Sequence, residues 1–331
     1  MPCYHPITMY RVKSGRNPET GAWSLTTKLQ DAYRDMPVKI PCGQCIGCRL
    51  NYAKFWAVRC MHELYTSSNG YFLTLTFDDD HLAPDLSLHK EDFTLFIKRL
   101  RKRYGNGIRY YHCGEYGDLS ARPHHHAIIY NVPITDLCLL SYSHGQPYYT
   151  SDTISRLWPY GYHVIGNVTF ESCAYVARYC TKKITGDRAA AHYNGRLPEY
   201  VTMSRRPGIG YDFYQKYKKD MYAIDKVILG GGKSCNIPRY YDKLCEQDHT
   251  LNIEQIRDQR LKNFEKRYDL RGFVASDIAK YKLCVDNVDK QLQDIGAVLR
   301  RIPSVLESRQ RLDVVEECRK EAFKRYQRNK V

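Results

Sequence analysis

Three consecutive histidines follow a proline in the segment 122–130, Arg-Pro-His-His-His-Ala-Ile-Ile-Tyr. The apolar end of this segment predicts a β-strand. Because alternate residues of a strand share a face, His124 and His126 point together, whereas His125 points to the opposite face and has a structural role. Two neutral imidazoles side by side can bind a divalent metal ion when another ligand joins them. A chance run of histidines at the surface is the alternative.

Another ligand for such an ion lies shortly before the histidines. Residues 114–123 are rich in turn-forming residues and predict a hairpin that leads into the histidine strand. The hairpin is expected to bring Glu115 opposite the histidines. One carboxylate and two imidazoles suit Mg²⁺, Mn²⁺ or another divalent ion, with positions left open for a substrate oxygen.

A second set of reactive side chains occurs further along the chain. Residues 171–183 contain no Gly or Pro and predict a helix that ends near Gly186. Positions four apart on a helix share a face, so Tyr175 and Tyr179 lie one turn from each other, with Lys182 on the same side. This arrangement offers two nucleophiles and one cation. Packing of both tyrosines in a core is the alternative, because the chain contains 29 tyrosines.

Three cysteines near the amino terminus, Cys42, Cys45 and Cys48, have the spacing of metal ligands. Three thiolates leave a tetrahedral Zn²⁺ one ligand short. The candidates for the fourth ligand are Cys3, His5, Cys60 and His62. We expect Cys3 to complete a structural zinc site. Free cysteines and an iron–sulfur cluster are the alternatives, whereas an odd total of 13 cysteines in a long chain argues against a disulfide framework.

The charge of the chain indicates its kind of partner. It has 51 Lys and Arg against 36 Asp and Glu, a net charge of +15, which favours a polyanion over the substrates of an ordinary metabolic enzyme. Residues 246–331 hold 19 Lys and Arg and 15 Asp and Glu, so most of the excess lies before them. The residues that we expect to contact DNA are Arg178, Lys183, Arg205 and Arg206. Tyr211, Tyr214 and Tyr217 either stack on bases or, more simply, pack in the core.

The elements that must position these residues predict an α+β fold. Strands are expected over residues 71–77, 108–113, 125–130 and 162–170, and helices over residues 90–104 and 171–183. Short hairpin links between the strands favour an antiparallel sheet with helices on one face.

After residue 245 the sequence predicts long helical segments. Apolar residues from Ile278 to Ile302 recur at alternating spacings of three and four, which predicts a heptad helix that ends at Pro303. This helix belongs either to an intramolecular helical hairpin or to a coiled coil with a partner or a second copy. We expect four parts: a cysteine-rich segment and helix over 1–68, a core with a basic extension over 69–229, a linker over 230–245 and a helical region over 246–331.

Two classes of protein are disfavoured. Residues 1–10 contain no apolar signal-peptide core, and no run of about 18 uncharged apolar residues occurs, so we expect neither secretion nor a membrane span. The run Gly-Gly-Gly-Lys-Ser over 230–234 lacks the first glycine of a nucleotide-binding P-loop and predicts a flexible linker. We therefore expect no helicase module in this chain.

Together these motifs resemble the HUH endonuclease superfamily. Its three motifs are similar, in order and content, to the Phe-Leu-Thr-Leu-Thr strand, the His-x-His strand and the Tyr-x-x-x-Tyr-x-x-Lys helix found here. More narrowly, the chain resembles the rolling-circle replication initiators of microviruses, small single-stranded DNA phages. The cysteine element 41–49, the two-tyrosine helix and the segment 203–210 (Met-Ser-Arg-Arg-Pro-Gly-Ile-Gly) are similar to gokushovirus-type initiators. The resemblance covers about residues 1–245.

The resemblance implies a role for each motif residue. It implies that His124 and His126 hold a divalent ion with Glu115, on an RRM-like or ferredoxin-like core. His125 departs from the family pattern by occupying the hydrophobic position between the two ligands. The resemblance further implies that Tyr175 and Tyr179 attack a DNA phosphate alternately. Lys182 is then expected to stabilise the charged transition state.

The function implied is that of a site-specific single-strand DNA endonuclease and ligase in the cytoplasm of a bacterial host. It initiates and terminates rolling-circle replication through a 5′-phosphotyrosine and a free 3′-OH primer. The expected partners are single-stranded viral DNA, replicative-form origin DNA, and a host helicase and DNA polymerase. The alternatives are a tyrosine transposase or plasmid initiator of the same superfamily, or a non-catalytic, zinc-stabilised protein that binds single strands.

Overall fold

The computed structural model describes residues 3–16, 23–117, 121–143, 145–179, 183–184, 186, 188–230, 232–248, 250–268, 316–317 and 319–320. The chain divides into two compact units, one of residues 1–51 with 257–331 and the other of residues 52–256. The heptad helix predicted over 278–302 lies outside the described residues. None of the helices in the described part of the chain is long and apolar enough to cross a membrane.

The first unit contains a three-stranded antiparallel sheet. Its strands are β1 (Ile7–Arg16), β2 (Trp23–Thr26) and β3 (Ala32–Ile40), in the order β2-β1-β3. The helix α1 (Ile46–Thr66) begins in this unit and continues into the second one.

The second unit is built on a seven-stranded sheet in which all neighbouring strands are antiparallel. The order of its strands is β10-β5-β6-β4-β9-β8-β7. These strands are β4 (Gly70–Phe77), β5 (Arg109–Tyr116), β6 (Pro123–Tyr130), β7 (Cys138–Ser143), β8 (Gln146–Thr150), β9 (Gly161–Asn167) and β10 (Tyr200–Met203). The predicted antiparallel α+β class is confirmed, and each of the four predicted strands overlaps an observed one.

Helices cover both faces of this sheet. The helices after α1 are α2 (Lys90–Tyr104), α3 (Asp152–Leu157), α4 (Phe170–Tyr179), α5 (Arg188–Tyr193), α6 (Tyr211–Ile224), α7 (Arg239–Glu246) and α8 (Ile253–Tyr268). On the back face, α2 buries Phe93, Phe96 and Leu100 against Leu73 and Ile129. The opposite, front face packs against α1 and α4 through the buried residues Ala57, Cys60, Tyr111, Cys173 and Val176. The expectation of helices on one face only is therefore wrong, because the central strands are apolar on both faces.

A smaller core lies between α6 and α7. Tyr241 of α7 is fully buried and stacks on Tyr214 of α6, with Met221 beside them. Two short strands, β11 (Val227–Ile228) and β12 (Ser234–Cys235), pair near this core. Residues 239–245 of the predicted linker are thus helical and packed, and Tyr214 takes the core role rather than a base-stacking one. The other domain boundaries stay predictions.

Candidate functional site

The histidine strand β6 lies between β5 and β4, so that its front-face residues meet ligands from both neighbours. Glu115 of β5 is directly opposite His124, and Thr74 of β4 is directly opposite His126. Residues directly opposite each other in an antiparallel pair share a face. The two predicted histidines and the predicted carboxylate therefore project from the same face, as the alternation of the strand requires.

His126 is held by hydrogen bonds at both of its ring nitrogens. Its Nε2 lies 2.7 Å from Oε1 of Glu115, and its Nδ1 lies 2.9 Å from Oγ1 of Thr74. The ring also stacks parallel to Phe72, with 5.8 Å between ring centroids. His126 and Glu115 are both buried, which gives the pair a fixed geometry. Thr74 was not singled out from the sequence, although the apolar-Thr alternation of its strand marks it.

His124 completes the set from the next position on the same face. Its ring centroid lies 6.4 Å from that of His126, and its buried Nδ1 has no hydrogen-bond partner in the described part of the chain. Burial, and then the positive charges of His126 and Arg122, lower the pKa of His124 to about 4. The ring is therefore neutral near pH 7, as a metal ligand must be.

The three predicted ligands fit a divalent ion by their chemistry, but they are not drawn tightly together. Two imidazoles and a carboxylate are a donor set that hard and borderline divalent ions accept. Among the described residues, however, the ligand atoms of His124, His126 and Glu115 do not all lie within 4.8 Å of one another. His126 and Glu115 are in direct contact.

His125 lies on the back face, inside the core. Its Nδ1 is 3.2 Å from Nε2 of His112, whose Nδ1 is 2.8 Å from Oγ1 of Thr202. Phe93 stacks on His112 with 3.5 Å between ring centroids, and Trp158 packs edge-on to His125. His125 is fully buried, and this cluster anchors β6 from the back face.

The helix α4 places Tyr175 over the histidine strand. The ring of Tyr175 meets that of His126 edge to face, with 5.3 Å between centroids. The helix begins with reciprocal hydrogen bonds in which the backbone N–H of Ser172 donates to Oγ1 of Thr169 and that of Thr169 donates to Oγ of Ser172. Such a pair satisfies two unpaired donors at the start of a helix. The buried Val176 then fixes which side of the helix faces the sheet.

The other predicted residues around this helix are described less fully. Tyr179 is its last residue, one turn beyond Tyr175, and only its backbone is described. Lys182 lies outside the described residues. Arg178 is partly buried, and Lys183 is exposed. Tyr175 is therefore the one predicted nucleophile whose ring is placed against a predicted metal ligand.

Two of the predicted DNA-contacting residues, Arg205 and Arg206, lie on a turn that follows β10. Arg205 and Arg206 are exposed, and Arg205 forms a β-bridge with Gly208. The guanidinium of Arg109 donates to the carbonyl oxygens of Pro207 (3.1 Å) and Gly208 (3.0 Å). The turn is thus fixed by its backbone, which leaves its two arginine side chains available to a partner.

A buried ion pair supports that turn. Glu63 of α1 pairs with Arg109 and accepts a hydrogen bond of 2.6 Å from the backbone N–H of Gly210. Arg59, one turn earlier on α1, donates to the carbonyl of Ile209 at 3.0 Å. Nothing in the sequence pattern linked Glu63 to the turn, because the partners are separated by more than a hundred residues.

The predicted zinc ligands Cys3, Cys42, Cys45 and Cys48 do come together. Their sulfur atoms all lie within 4.8 Å of one another, and Sγ of Cys3 is 3.5 Å from that of Cys42. Burial raises the pKa of Cys45, but backbone hydrogen bonds from Tyr4 and Cys48 outweigh it and lower the pKa to about 6. Four thiols around one point fit a structural Zn²⁺, which deprotonates its ligands on binding.

The other candidates for the fourth zinc ligand are engaged elsewhere. His5 pairs through Nε2 with the buried carboxylate of Glu316. Cys60 is buried in the front-face core, and His62 forms a 2.8 Å hydrogen bond with the hydroxyl of Tyr241. Cys3 is thus the residue that completes the cluster.

The chain is similar to several known proteins. The family model for replication-associated protein ORF2/G2P matches residues 70–184, which include β4, β6 and α4. The chain is 32% identical to replication-associated protein ORF2 of Spiroplasma virus 4 over 320 residues, which cover 91% of this chain and 98% of that protein. It is 38% identical to replication-associated protein VP4 of Bdellovibrio phage phiMH2K over 228 residues, or 63% of this chain and 68% of the relative.

A third relative is also a replication-associated protein of a phage. Replication-associated protein ORF4 of Chlamydia phage 1 is 29% identical over 247 residues, which cover 70% of this chain and 61% of that protein. No solved structure matches the chain. The similarity to the Spiroplasma virus protein runs over nearly its whole length, and the resemblance predicted from the motifs is confirmed. The chain therefore belongs to the family of replication-associated proteins of gokushovirus-type microviruses.

Proposed function

We propose that this protein nicks and rejoins single-stranded DNA at a specific site, and thereby starts and ends rolling-circle replication of a microvirus in the cytoplasm of its bacterial host. The observation that carries the proposal is the contact between Tyr175 and His126, beside Glu115 and on the face that also bears His124. A tyrosine packed against a His and carboxylate pair is more specific than either motif alone. The relatives, which are named as replication-associated proteins, favour this function over a transposase.

In the proposed reaction, the phenol oxygen of Tyr175 attacks a DNA phosphorus. A bond forms from phosphorus to the tyrosine oxygen, and the bond from phosphorus to the 3′ oxygen breaks. The phenol proton leaves, and the 3′ oxygen departs as a hydroxyl. One phosphoester replaces another, so the 5′-phosphotyrosine can be resealed without nucleotide hydrolysis, while the free 3′-OH primes a host polymerase. Unwinding is left to a host helicase.

The site residues prepare the phosphate for this attack. His124, His126 and Glu115 would hold a divalent ion, which would supply positive charge to a non-bridging phosphate oxygen. Thr74 fixes the ring of His126 through Nδ1, which orients Nε2 toward the ligand side. Burial keeps His124 neutral. Lys182 is proposed to stabilise the transition state, and Tyr179 to act as the second nucleophile.

The experiment is a search for a covalent adduct. Labelled single-stranded fragments of the viral genome are incubated with the protein and Mn²⁺ or Mg²⁺, and the adduct peptide is identified by mass spectrometry. We expect DNA on both Tyr175 and Tyr179, with each single Phe variant retaining some adduct and the double variant retaining none. All adduct on Tyr179 would show that Tyr175 only packs.

The metal assignment is tested in the same assay. His124→Ala and His126→Ala should each abolish the adduct while salt-sensitive DNA binding persists, since that binding comes from dispersed basic charge. His192→Ala, an exposed histidine of α5, is the matched control and should behave as the wild type. Binding without any adduct under all metal conditions would favour the non-catalytic alternative.

A further inference from the structure

In the described part of the chain, the front face of the sheet is less covered at β4 and β9 than at β5 and β6. The helices α1 and α4 pack over β5 and β6, so that Tyr111, Cys113 and Ile128 are buried. On β4 the back-face residues Leu73, Leu75 and Phe77 are buried, whereas the front-face threonines are partly accessible. On β9 the front-face residues Tyr162 and Val164 are exposed and partly accessible, respectively. We call the following residues the open front face: Thr74, Thr76, Tyr148, Tyr162 and Val164. This surface continues directly from the candidate metal site.

Tyr162 is the most exposed residue of this surface and lies in line with the metal site. Thr76 of β4 lies directly opposite Tyr162 on one side and directly opposite His124 of β6 on the other. His124 in turn lies directly opposite Glu115 of β5. The four side chains therefore form one row across four strands on a single face. Tyr162 is 69% exposed, and the described residues provide it with no hydrogen-bond partner.

We propose that Tyr162 is a stacking site for a nucleobase of the DNA strand that enters the metal site, an assignment that rests on the proposed nicking function. Tyr162 and His124 are two strand spacings apart, about 10 Å. Stacked nucleotides rise about 3.4 Å each, so the stacked base lies within roughly three nucleotides of the phosphate at the metal site.

The surroundings of Tyr162 suit a base better than a protein partner. Its neighbours across the face are hydroxyl-bearing, with Thr76 directly opposite, and they do not form the contiguous apolar patch of a protein interface. A base needs only one ring face and nearby polar groups. Two of the three acidic residues that follow β4 are engaged, Asp78 with His81 and Asp79 with Arg122, and the third, Asp80, is exposed. The net charge of +15 supplies the long-range attraction for DNA.

Stacking of this kind predicts affinity and strand position but little sequence preference, since every base has a π-face. The probe is therefore oligo(dT) of about 20 nucleotides, compared with an abasic strand of the same length, in EDTA so that no cleavage occurs. Tyr162→Ala should weaken binding of oligo(dT) roughly 5- to 150-fold. Because no charge is lost, the dependence of affinity on salt should not change.

Tyr142→Ala is the matched control. Tyr142 is 68% exposed on β7, but it pairs with Pro147, whose neighbour Tyr148 faces front, so Tyr142 faces back. We expect Tyr142→Ala to bind as the wild type, Tyr162→Trp to retain affinity, and the loss from Tyr162→Ala to vanish on the abasic strand. Equal loss in both alanine variants, loss that persists on the abasic strand, or no loss would overturn the proposal.

Two further measurements are needed. The first distinguishes failure of the stacking proposal from failure of the proposed nicking function, and the second distinguishes DNA from a second copy of the chain as the partner of Tyr162. Formation of the covalent adduct with Mn²⁺ is measured on the wild type alone: stacking with no adduct would leave Tyr162 as a DNA contact and remove the nicking function. Light scattering then compares the mass of wild type and Tyr162→Ala. A lower mass for the variant would identify Tyr162 as a contact between two copies of the chain and overturn the assignment to DNA.

Discussion

Lowering the pH from 7 to 5 is expected to destabilise this protein strongly, because it contains histidines that are buried in their neutral form. His62 stacks on Phe213 with 3.7 Å between ring centroids and bonds to the hydroxyl of Tyr241. Burial lowers the pKa of His62 to about 3. Burial, and then electrostatic repulsion between its protonated form and the His126 and His124 rings, also lower the pKa of His125 to about 3.

The sign follows from comparing proton binding in the two states. An unfolded histidine has a pKa of about 6.5 and is protonated below it, whereas these two remain neutral in the folded state down to about pH 3. The unfolded state therefore binds more protons within this window, and stability falls as the pH falls from about 6.5. At pH 5 each histidine costs about 2 kcal/mol, or about 4 kcal/mol for the pair. His112, whose pKa burial also lowers, adds to the effect.

A loss of about 4 kcal/mol is large against a typical total stability of about 5–15 kcal/mol. It is measured by urea unfolding at pH 7 and pH 5 in EDTA, followed by the fluorescence of Trp56 and Trp158, which belong to the second unit. His62→Gln removes one titrating group and should reduce the difference between the two pH values by about 2 kcal/mol. His192→Gln, at an exposed position, should leave it unchanged. A difference under about 1 kcal/mol in the wild type would refute the reasoning.

Three other perturbations have defined outcomes. Glu63→Ala leaves the guanidinium of Arg109 without its carboxylate and should lower the free energy of unfolding by about 3–5 kcal/mol in chemical denaturation. The double variant Glu63→Leu with Arg109→Met, which buries no unpaired charge, should recover most of that lost stability. Changing Arg205 and Arg206 to Ala should make the slope of log affinity against log salt on a single strand shallower by about 1.4, and an unchanged slope would exclude two phosphate contacts. Cys45→Ser should remove about one zinc ion per chain and destabilise the fold, while loss of both strand histidines should not lower the zinc content measured by elemental analysis.

The features that the sequence predicted well are those that depend on local periodicity. The two-residue period of a strand separated His125 from its neighbours, and the absence of Gly and Pro predicted the helix that carries Tyr175. The spacing of Cys42, Cys45 and Cys48 indicated their shared cluster. Each of these inferences needs only one element and its own geometry.

The features that escaped prediction depend on contacts between distant segments. Glu63 binds the turn at Gly210 and the strand residue Arg109, and no local pattern of charge links these three. The pairing of β8 with β9 leaves β7 at the edge with exposed residues on both faces, so the period that marks a half-buried strand is absent there. Packing of helices on both faces could not be predicted from a sheet order that was itself unknown.

The strand β6 shows how the core of this protein sets its candidate chemistry. A slip of one residue in the pairing of this strand would turn His124 and His126 into the core and expose His125 in their place. Tyr130 of the same strand opposes that slip, because its buried hydroxyl donates a hydrogen bond of 2.9 Å to the carbonyl oxygen of Cys60, which a slipped strand would break. On the back face, His125 is fully buried beside His112 and Trp158. The packed end of the strand therefore holds the register that aims two imidazoles at the front face.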